Sequence, residues 1–242
     1  TDLSKTESYN KSLRFASPLV SIVEKAGYSV RGIGDTDWMG IKSEPTPDGK
    51  PLHNNDSSAF FSMVLTPTAF RNHSMDVTQF GNTEPQIASS MSMFDNIEIA
   101  PNTSQFTFYY LCSPHTPFYY KADGSLTPYT DYFVGGNLGN RAYVEQLKYI
   151  TTRTNMAVKR IIEKDPDAII LYTSDHSYRS QFDANSAIPV SESMRILNAV
   201  YYQNNSLPEI QGKSGVNTIR LVLNKVLNLE LPFLEVPPYE EK

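Results

Sequence analysis

An α/β fold built on a doubly wound, mostly parallel central sheet flanked by helices is what this sequence predicts, and three observations carry the prediction. Amphipathic helical segments alternate with short apolar runs along the chain. Two of those runs, residues 105–112 and 168–173, are aromatic or aliphatic almost throughout, as strands covered on both faces are. A chain of 242 residues with 40% hydrophobic content also has enough apolar surface for a core of that size.

The first element opens at Ser17-Pro18, a hydroxyl cap followed by a ring at the first helical position, where no N–H is missed. Leu19, Ile22, Val23 and Ala26 repeat at helical spacing, Gly27 is the natural stop, and residues 28–33 alternate as a strand. Residues 34–82 read as a long connection rich in Asp, Asn, Pro, Ser and Thr, broken only by an apolar patch at 59–65. Loops of that length inside a domain tend to be functional or to cover a site. A short amphipathic helix is expected over 84–96, then the aromatic strand QFTFYYLC at 105–112. The longest helix is expected over 141–164, with Tyr143, Leu147, Ile150, Ala157 and Ile161 on one stripe and Asp165-Pro166-Asp167 as its terminator. The run AIILYT at 168–173 fits a central strand of a parallel sheet. A further strand over 195–202 follows, then a closing helix over 216–229 with Val216, Ile219, Leu223 and Val226 in register. No boundary divides the chain, so one domain over 1–242 is expected, with 34–82 as an insertion.

Composition removes several function classes. Twenty-one Lys and Arg against 26 Asp and Glu leave a net charge of −5, the wrong balance for a general nucleic-acid binder. A single cysteine, Cys112, excludes an internal disulfide framework and any thiolate-rich metal site. No stretch approaches the roughly 18 apolar residues that span a bilayer, and the first residues, Thr1-Asp2-Leu3-Ser4, lack a signal-peptide pattern and an initiator Met. The chain is therefore expected to be a portion of a larger protein.

In open α/β sheets the ligand crevice lies beyond the carboxyl ends of the strands. The 168–173 strand runs into Ser174-Asp175-His176-Ser177-Tyr178-Arg179, a carboxylate, an imidazole and a guanidinium within five residues. The 105–112 strand runs into Ser113-Pro114-His115-Thr116-Pro117-Phe118, where two prolines stiffen a loop holding one His. Half of the four histidines thus follow central strands. Asp175 and His176 can offer a hard oxygen and a borderline nitrogen to one divalent cation, but catalytic metals usually take three or more protein ligands. The plainer alternative is that Asp175 caps a turn and His176 is an ordinary polar residue. Asp35 and Asp37 are weaker ligand candidates, and a solvated turn accounts for them as well. Five Asn-x-Ser matches, at Asn10, Asn55, Asn72, Asn102 and Asn204, are common by chance in such a chain. Neither Gly135-Gly136 nor Gly32-Ile33-Gly34 has the spacing of a phosphate loop. The tyrosine-rich segment 109–132 fits either a carbohydrate or lipid head-group cleft or a buried aromatic layer.

The order of these segments resembles a known family. The aromatic strand, Ser113-Pro114-His115-Thr116-Pro117-Phe118, Ala122-Asp123-Gly124, Tyr143-x-x-Gln146-Leu147-x-Tyr149 and Ile169-Ile170-Leu171-Tyr172-Thr173-Ser174-Asp175-His176 follow one another as in the C-terminal part of sulfatase-type proteins of the alkaline phosphatase superfamily. The likeness is greatest to the bacterial membrane-anchored branch, which includes lipoteichoic acid synthase and phosphoethanolamine transferases. It extends through Arg195-Ile196-Leu197-Asn198-Ala199 and Val216-Asn217-Thr218-Ile219-Arg220, and back to Glu24-Lys25-Ala26-Gly27-Tyr28. Ser177 departs from the pattern, since relatives commonly have Gly after Asp-His.

The resemblance implies that Asp175 and His176 ligate a divalent metal (Mn, Zn, Mg or Ca), that His115 contacts the substrate or leaving group, and that Arg179 pairs with an anionic ester. It implies a phospho- or sulfo-ester hydrolase or transferase with a Thr, Ser or formylglycine nucleophile, anchored at the extracytoplasmic face of the membrane. In that family the nucleophile and first acidic ligand precede the Ala-Gly-Tyr unit, and only 25 residues precede Ala26 here. The isolated chain is therefore expected to be catalytically incomplete and to hold metal weakly. Two other readings stay open: a non-catalytic sulfatase-like module that binds an anionic glycan, lipid head group or protein partner, and an unrelated α/β binding protein.

Overall fold

Helix α1 (Pro18–Lys25) begins and ends as its sequence dictates, although Ser17 occupies the cap position without a side-chain hydrogen bond. Its end is a Schellman motif: Tyr28 N donates to Val23 O and Gly27 N to Glu24 O, with Gly27 at φ 88°. The computed structural model describes residues 17–34, 36, 41–44, 92, 95, 99, 103–111, 113–114, 118–128, 136–178, 195–203 and 205–235. These belong to two units, Thr1–Ser113 and Pro114–Lys242. The architecture is mixed α/β, with a small parallel two-stranded sheet in the first unit and helices with an antiparallel sheet in the second.

In the first unit β1 (Ser29–Ile33) pairs in parallel with β2 (Gln105–Tyr109), from Ser29 against Gln105 to Ile33 against Tyr109. The partners lie more than 70 residues apart in sequence, and parallel strands need such a crossover. Residues 41–44 return along the other edge of β1, where Gly32 bridges Ser43 and Glu44 N donates to Gly32 O at 2.8 Å. The turn between them is tied by Thr36, which is fully buried; its hydroxyl donates to Ile41 O at 2.9 Å and its N–H to Ser43 Oγ at 3.0 Å. Two glycines make this turn possible. A Cβ on Gly32 would overlap Thr36 Oγ1 and the Lys42 carbonyl, and Gly34, at φ 92°, lies against the Tyr110 carbonyl. Ile33 and Tyr109 pack together as a core pair. β2 is half-buried along its length, so the expected cover on both faces is not what these residues show. Of the helix expected over 84–96, Ser92 and Asp95 are described and both are helical.

The second unit is organised by α2 (Gly136–Lys164), which starts five residues earlier than its apolar pattern indicates. The expected terminator acts as predicted, Asp165 Oδ1 accepting Asp167 N at 3.2 Å. Its buried stripe keeps Ile150 and Ala157 of the predicted positions and adds Gln146 and Thr154, whereas Leu147 is 37% exposed. Two polar side chains tolerate burial because both are satisfied. The Gln146 carbonyl accepts from Tyr119 N and Tyr120 N, and the Thr154 hydroxyl donates to Ile150 O. Gln146 thereby fastens a hairpin, residues 118–128, whose strands bridge at Tyr120 and Leu126 and whose tip is an Asx turn with Asp123 accepting from Ser125.

After α2 come β3 (Ile170–Thr173), β4 (Asn198–Tyr202) and β5 (Asn205–Ser206), in spatial order β3-β4-β5. β3 pairs antiparallel with β4, from Ile170 against Tyr201 to Thr173 against Asn198. Where a central strand of a parallel sheet is expected, the pairing described for β3 is antiparallel, and its other edge has no strand partner among the described residues. β3 is half-buried and ends exposed at Thr173, so its apolar run reports neither full cover nor the direction of its neighbour. A 3₁₀ turn at Pro208–Ile210 leads to α3 (Gly215–Leu227), capped by Ser214 and closed by Asn228 in the left-handed region.

The buried stripe of α3 keeps Leu223 of the predicted positions and is rotated toward Asn217 and Thr218. Val216 is 53% exposed, and the buried positions are Asn217, Thr218 and Leu223. The extended residues 229–235 explain the rotation by lying along α3 as a strap. Asn217 exchanges two hydrogen bonds with the backbone of Leu234, Asn224 does the same with Leu231, and Arg220 donates to Pro232 O between them. Seven helical residues rise about 10.5 Å and three extended residues span about 10 Å. The two asparagines therefore match alternate turns of helix to successive anchor points on the strap.

Candidate functional site

Asp175 and His176 sit immediately beyond the carboxyl end of β3. The strand tip is closed against the start of β4: Ser174 N donates to Leu197 O at 3.0 Å, Leu197 N to Ser174 Oγ at 2.9 Å, and Thr173 Oγ1 to Leu197 O at 3.1 Å. Thr173 also faces the first turn of α3, since a Cβ on Gly215 would come within 3.6 Å of its hydroxyl.

The two side chains are oriented by local bonds. Asp175 Oδ1 accepts the His176 backbone N–H at 3.0 Å, which sets the carboxylate rotation and leaves Oδ2 turned to the imidazole. His176 Nδ1 lies 2.6 Å from the Ser177 carbonyl oxygen. A carbonyl only accepts, so Nδ1 carries the proton of the neutral ring and Nε2 keeps its lone pair. Nε2 and Oδ2 are 3.6 Å apart. Two bonds of about 2.1 Å to a shared cation reach up to about 4.2 Å, so both atoms fit one divalent ion. The Asp175 side chain is 89% exposed and that of His176 28%, so the carboxylate is open to solvent and the ring is half enclosed. At Ser177, where a glycine is expected from the family pattern, it is the backbone carbonyl that engages His176. Among the described residues no group of three or more His, Cys, Asp or Glu comes together as a ligand set.

His115, Arg179, Asp35 and Asp37 lie outside the described residues, as does nearly all of the 34–82 insertion. The chain next to two of them is described. Phe118, three residues after His115, is buried and meets Tyr143 edge to face, with centroids 6.3 Å apart and planes at 73°. Tyr178, one residue before Arg179, lies over the same ring at 4.3 Å and 32°. Burial, and then the neighbouring Tyr178, raises the Tyr143 phenol above the usual tyrosine range, so it stays a neutral ring. Phe118, Tyr119 and Tyr120 are all buried, which gives this part of the tyrosine-rich segment the character of an aromatic layer rather than a cleft wall.

The role of Gln146 is not visible in apolar periodicity, which passes over a polar residue on the buried stripe. Its signal is positional: a long amide in Tyr143-x-x-Gln146-x-x-Tyr149, three residues from each tyrosine and so a helical neighbour of both. Beside it Glu145 accepts Ala122 N at 3.1 Å, and Tyr149 stacks on Tyr120 with centroids 4.9 Å apart. The Ala122 N–H, then Lys148, hold the Glu145 carboxyl below its usual range.

Comparison of the chain with protein-family models, with curated proteins and with solved structures gave no match. Among the described residues no helix is long and apolar enough to cross a membrane.

Proposed function

We propose that this chain carries part of the metal site of a sulfatase-like phospho- or sulfo-ester hydrolase or transferase, with Asp175 and His176 as two ligands of a divalent cation. The observation that carries the reading is the pair itself. At the tip of β3 a carboxylate oxygen and an imidazole nitrogen with a free lone pair stand 3.6 Å apart, the ring held by its other nitrogen on a backbone carbonyl. A backbone bond of that kind on the second nitrogen is the usual support of a metal-ligating histidine.

In this proposal the doubly wound fold, the extracytoplasmic membrane-anchored location and an anionic ester substrate come with the family resemblance. A divalent cation at the pair would polarise an ester oxygen and stabilise negative charge developing on it. Asp175 neutralises part of the ion's charge and fixes the ligand geometry through Oδ1. His176 would offer Nε2 to the ion, and His115 and Arg179 are proposed to contact the leaving group and the anionic ester.

Two measurements test the reading. Calorimetry with Mn²⁺ and Zn²⁺ on the full-length protein is expected to show binding that Asp175→Ala weakens at least about tenfold; no binding, or an unchanged Asp175→Ala variant, overturns it. Hydrolysis of p-nitrophenyl phosphate or sulfate separates an enzyme from a non-catalytic module, which would bind metal and leave both esters intact.

A further inference from the structure

Residues 174–178 have no regular structure, yet the span that contains Asp175 and His176 is tied at both ends. Ser174 is fastened to Leu197 by two hydrogen bonds, and Tyr178 is laid on the ring of Tyr143. The same ring receives Phe118, at the end of the segment that carries His115. The surface next to Tyr143 is not general core, since Val144 is 42% and Leu147 37% exposed. Among the described residues, the ring contacts of Tyr143 are with Phe118 and Tyr178.

From this contact we infer that Tyr143 is a positioning residue of the proposed site, its ring setting where the Asp175-His176 turn ends. The inference rests on the metal-site reading above and adds to it the element that aligns the ligands. The Tyr143 contacts described here are made by the ring face and edge. Phenylalanine therefore keeps the function, and a flexible aliphatic side chain loses it.

The test uses the full-length protein labelled with ¹⁵N-histidine, the His176 signals being assigned with His176→Gln. Wild type and Tyr143→Phe are expected to show the Nδ1-protonated tautomer and the same Mn²⁺ affinity. Tyr143→Leu and, from the loop side, Tyr178→Leu are expected to give averaged imidazole signals and an Mn²⁺ affinity lower by about tenfold or more. Tyr178→Leu leaves α2 intact, so the question stays decidable if Tyr143→Leu does not fold. Folded Leu variants with wild-type His176 signals and Mn²⁺ affinity overturn the inference. The tautomer signal needs no metal, so it judges the positioning role even where an Asp175→Ala control that leaves Mn²⁺ binding unchanged has overturned the metal reading.

Discussion

Replacing Gln146 by methionine removes an acceptor without opening a cavity, because the two side chains are similar in length and volume and the site is fully buried. What is lost is one carbonyl oxygen that accepts from Tyr119 N at 2.8 Å and Tyr120 N at 3.2 Å. Tyr119 is 1% and Tyr120 7% exposed, so water does not readily replace it. An unsatisfied buried donor costs about 1–3 kcal/mol, and with the longer bond at the low end the pair is worth roughly 2–5 kcal/mol. At about 1.4 kcal/mol per tenfold, the opening equilibrium of the hairpin should rise from roughly 30-fold to a few thousand-fold. Amide hydrogen exchange of Tyr119 and Tyr120 in native buffer reads that quantity at the two donors concerned. Exchange in α3 should be unaffected, since Gln146 makes no described bond there. Unchanged protection at Tyr119 and Tyr120 in a folded Gln146→Met protein would refute the reasoning.

Other consequences are equally measurable. Gly34→Ala combines φ 92° with overlap of the Tyr110 carbonyl, whereas Gly27→Ala has φ 88° and open space. The first should cost well over about 2 kcal/mol and the second about 1–2 kcal/mol, compared by urea unfolding. Asn217→Ala and Asn224→Ala each remove two bonds to the strap, about 1–3 kcal/mol apiece; limited proteolysis within 229–235 should accelerate in both, and coupling of the two effects is expected because they hold one segment. Arg31 engages Glu44 through two hydrogen bonds, 2.5 and 2.7 Å, and this bonding holds the Glu44 carboxyl below its usual value. A depressed folded-state pKa contributes stability above the unfolded value near 4.5, lost as pH falls through the folded one. The melting temperature should therefore drop with acidification below about pH 4.5, and Glu44→Gln should remove that component of the drop.

Elements whose signal is local were legible from the residues. Ser17-Pro18 and Gly27 bound α1, Asp165-Pro166-Asp167 ends α2, and the tip of the 168–173 run carries the Asp-His pair where it was expected. Features set by a partner elsewhere in the chain were not. The stripe of α2 turns toward Gln146 because the hairpin supplies two donors to it, and that of α3 turns toward Asn217 because the strap supplies backbone groups. A periodicity count treats both residues as solvent-facing, since it has no way to include a bond made 17 or 27 residues away. The strand direction of β3 failed for a related reason: burial on a face is written in composition, whereas pairing direction is decided by the route of the connection.

The same distinction bears on how a site at a strand tip acquires its geometry. β3 sets where Asp175 emerges, but its ladder ends at Thr173, and the hydrogen bonds described for Asp175 and His176 are short-range. Short-range bonds orient one side chain against its neighbour; they do not locate the pair against a residue some 60 positions earlier. That requires a rigid element touching both segments, and the first half of α2 is one, with Tyr143 under Phe118 and Tyr178, Gln146 under Tyr119 and Tyr120, and Tyr149 under Tyr120. Loosening this half of the helix should therefore blur the Asp175-His176 pair before it unfolds the unit. Aliphatic substitutions at Tyr149, remote from His176, should lower hairpin protection while leaving the Nδ1-protonated tautomer intact, whereas Tyr143→Leu should change both. If Tyr149 and Tyr143 variants of equal stability behave alike at His176, the site is aligned by the overall rigidity of α2 and not by the ring that the two loops share.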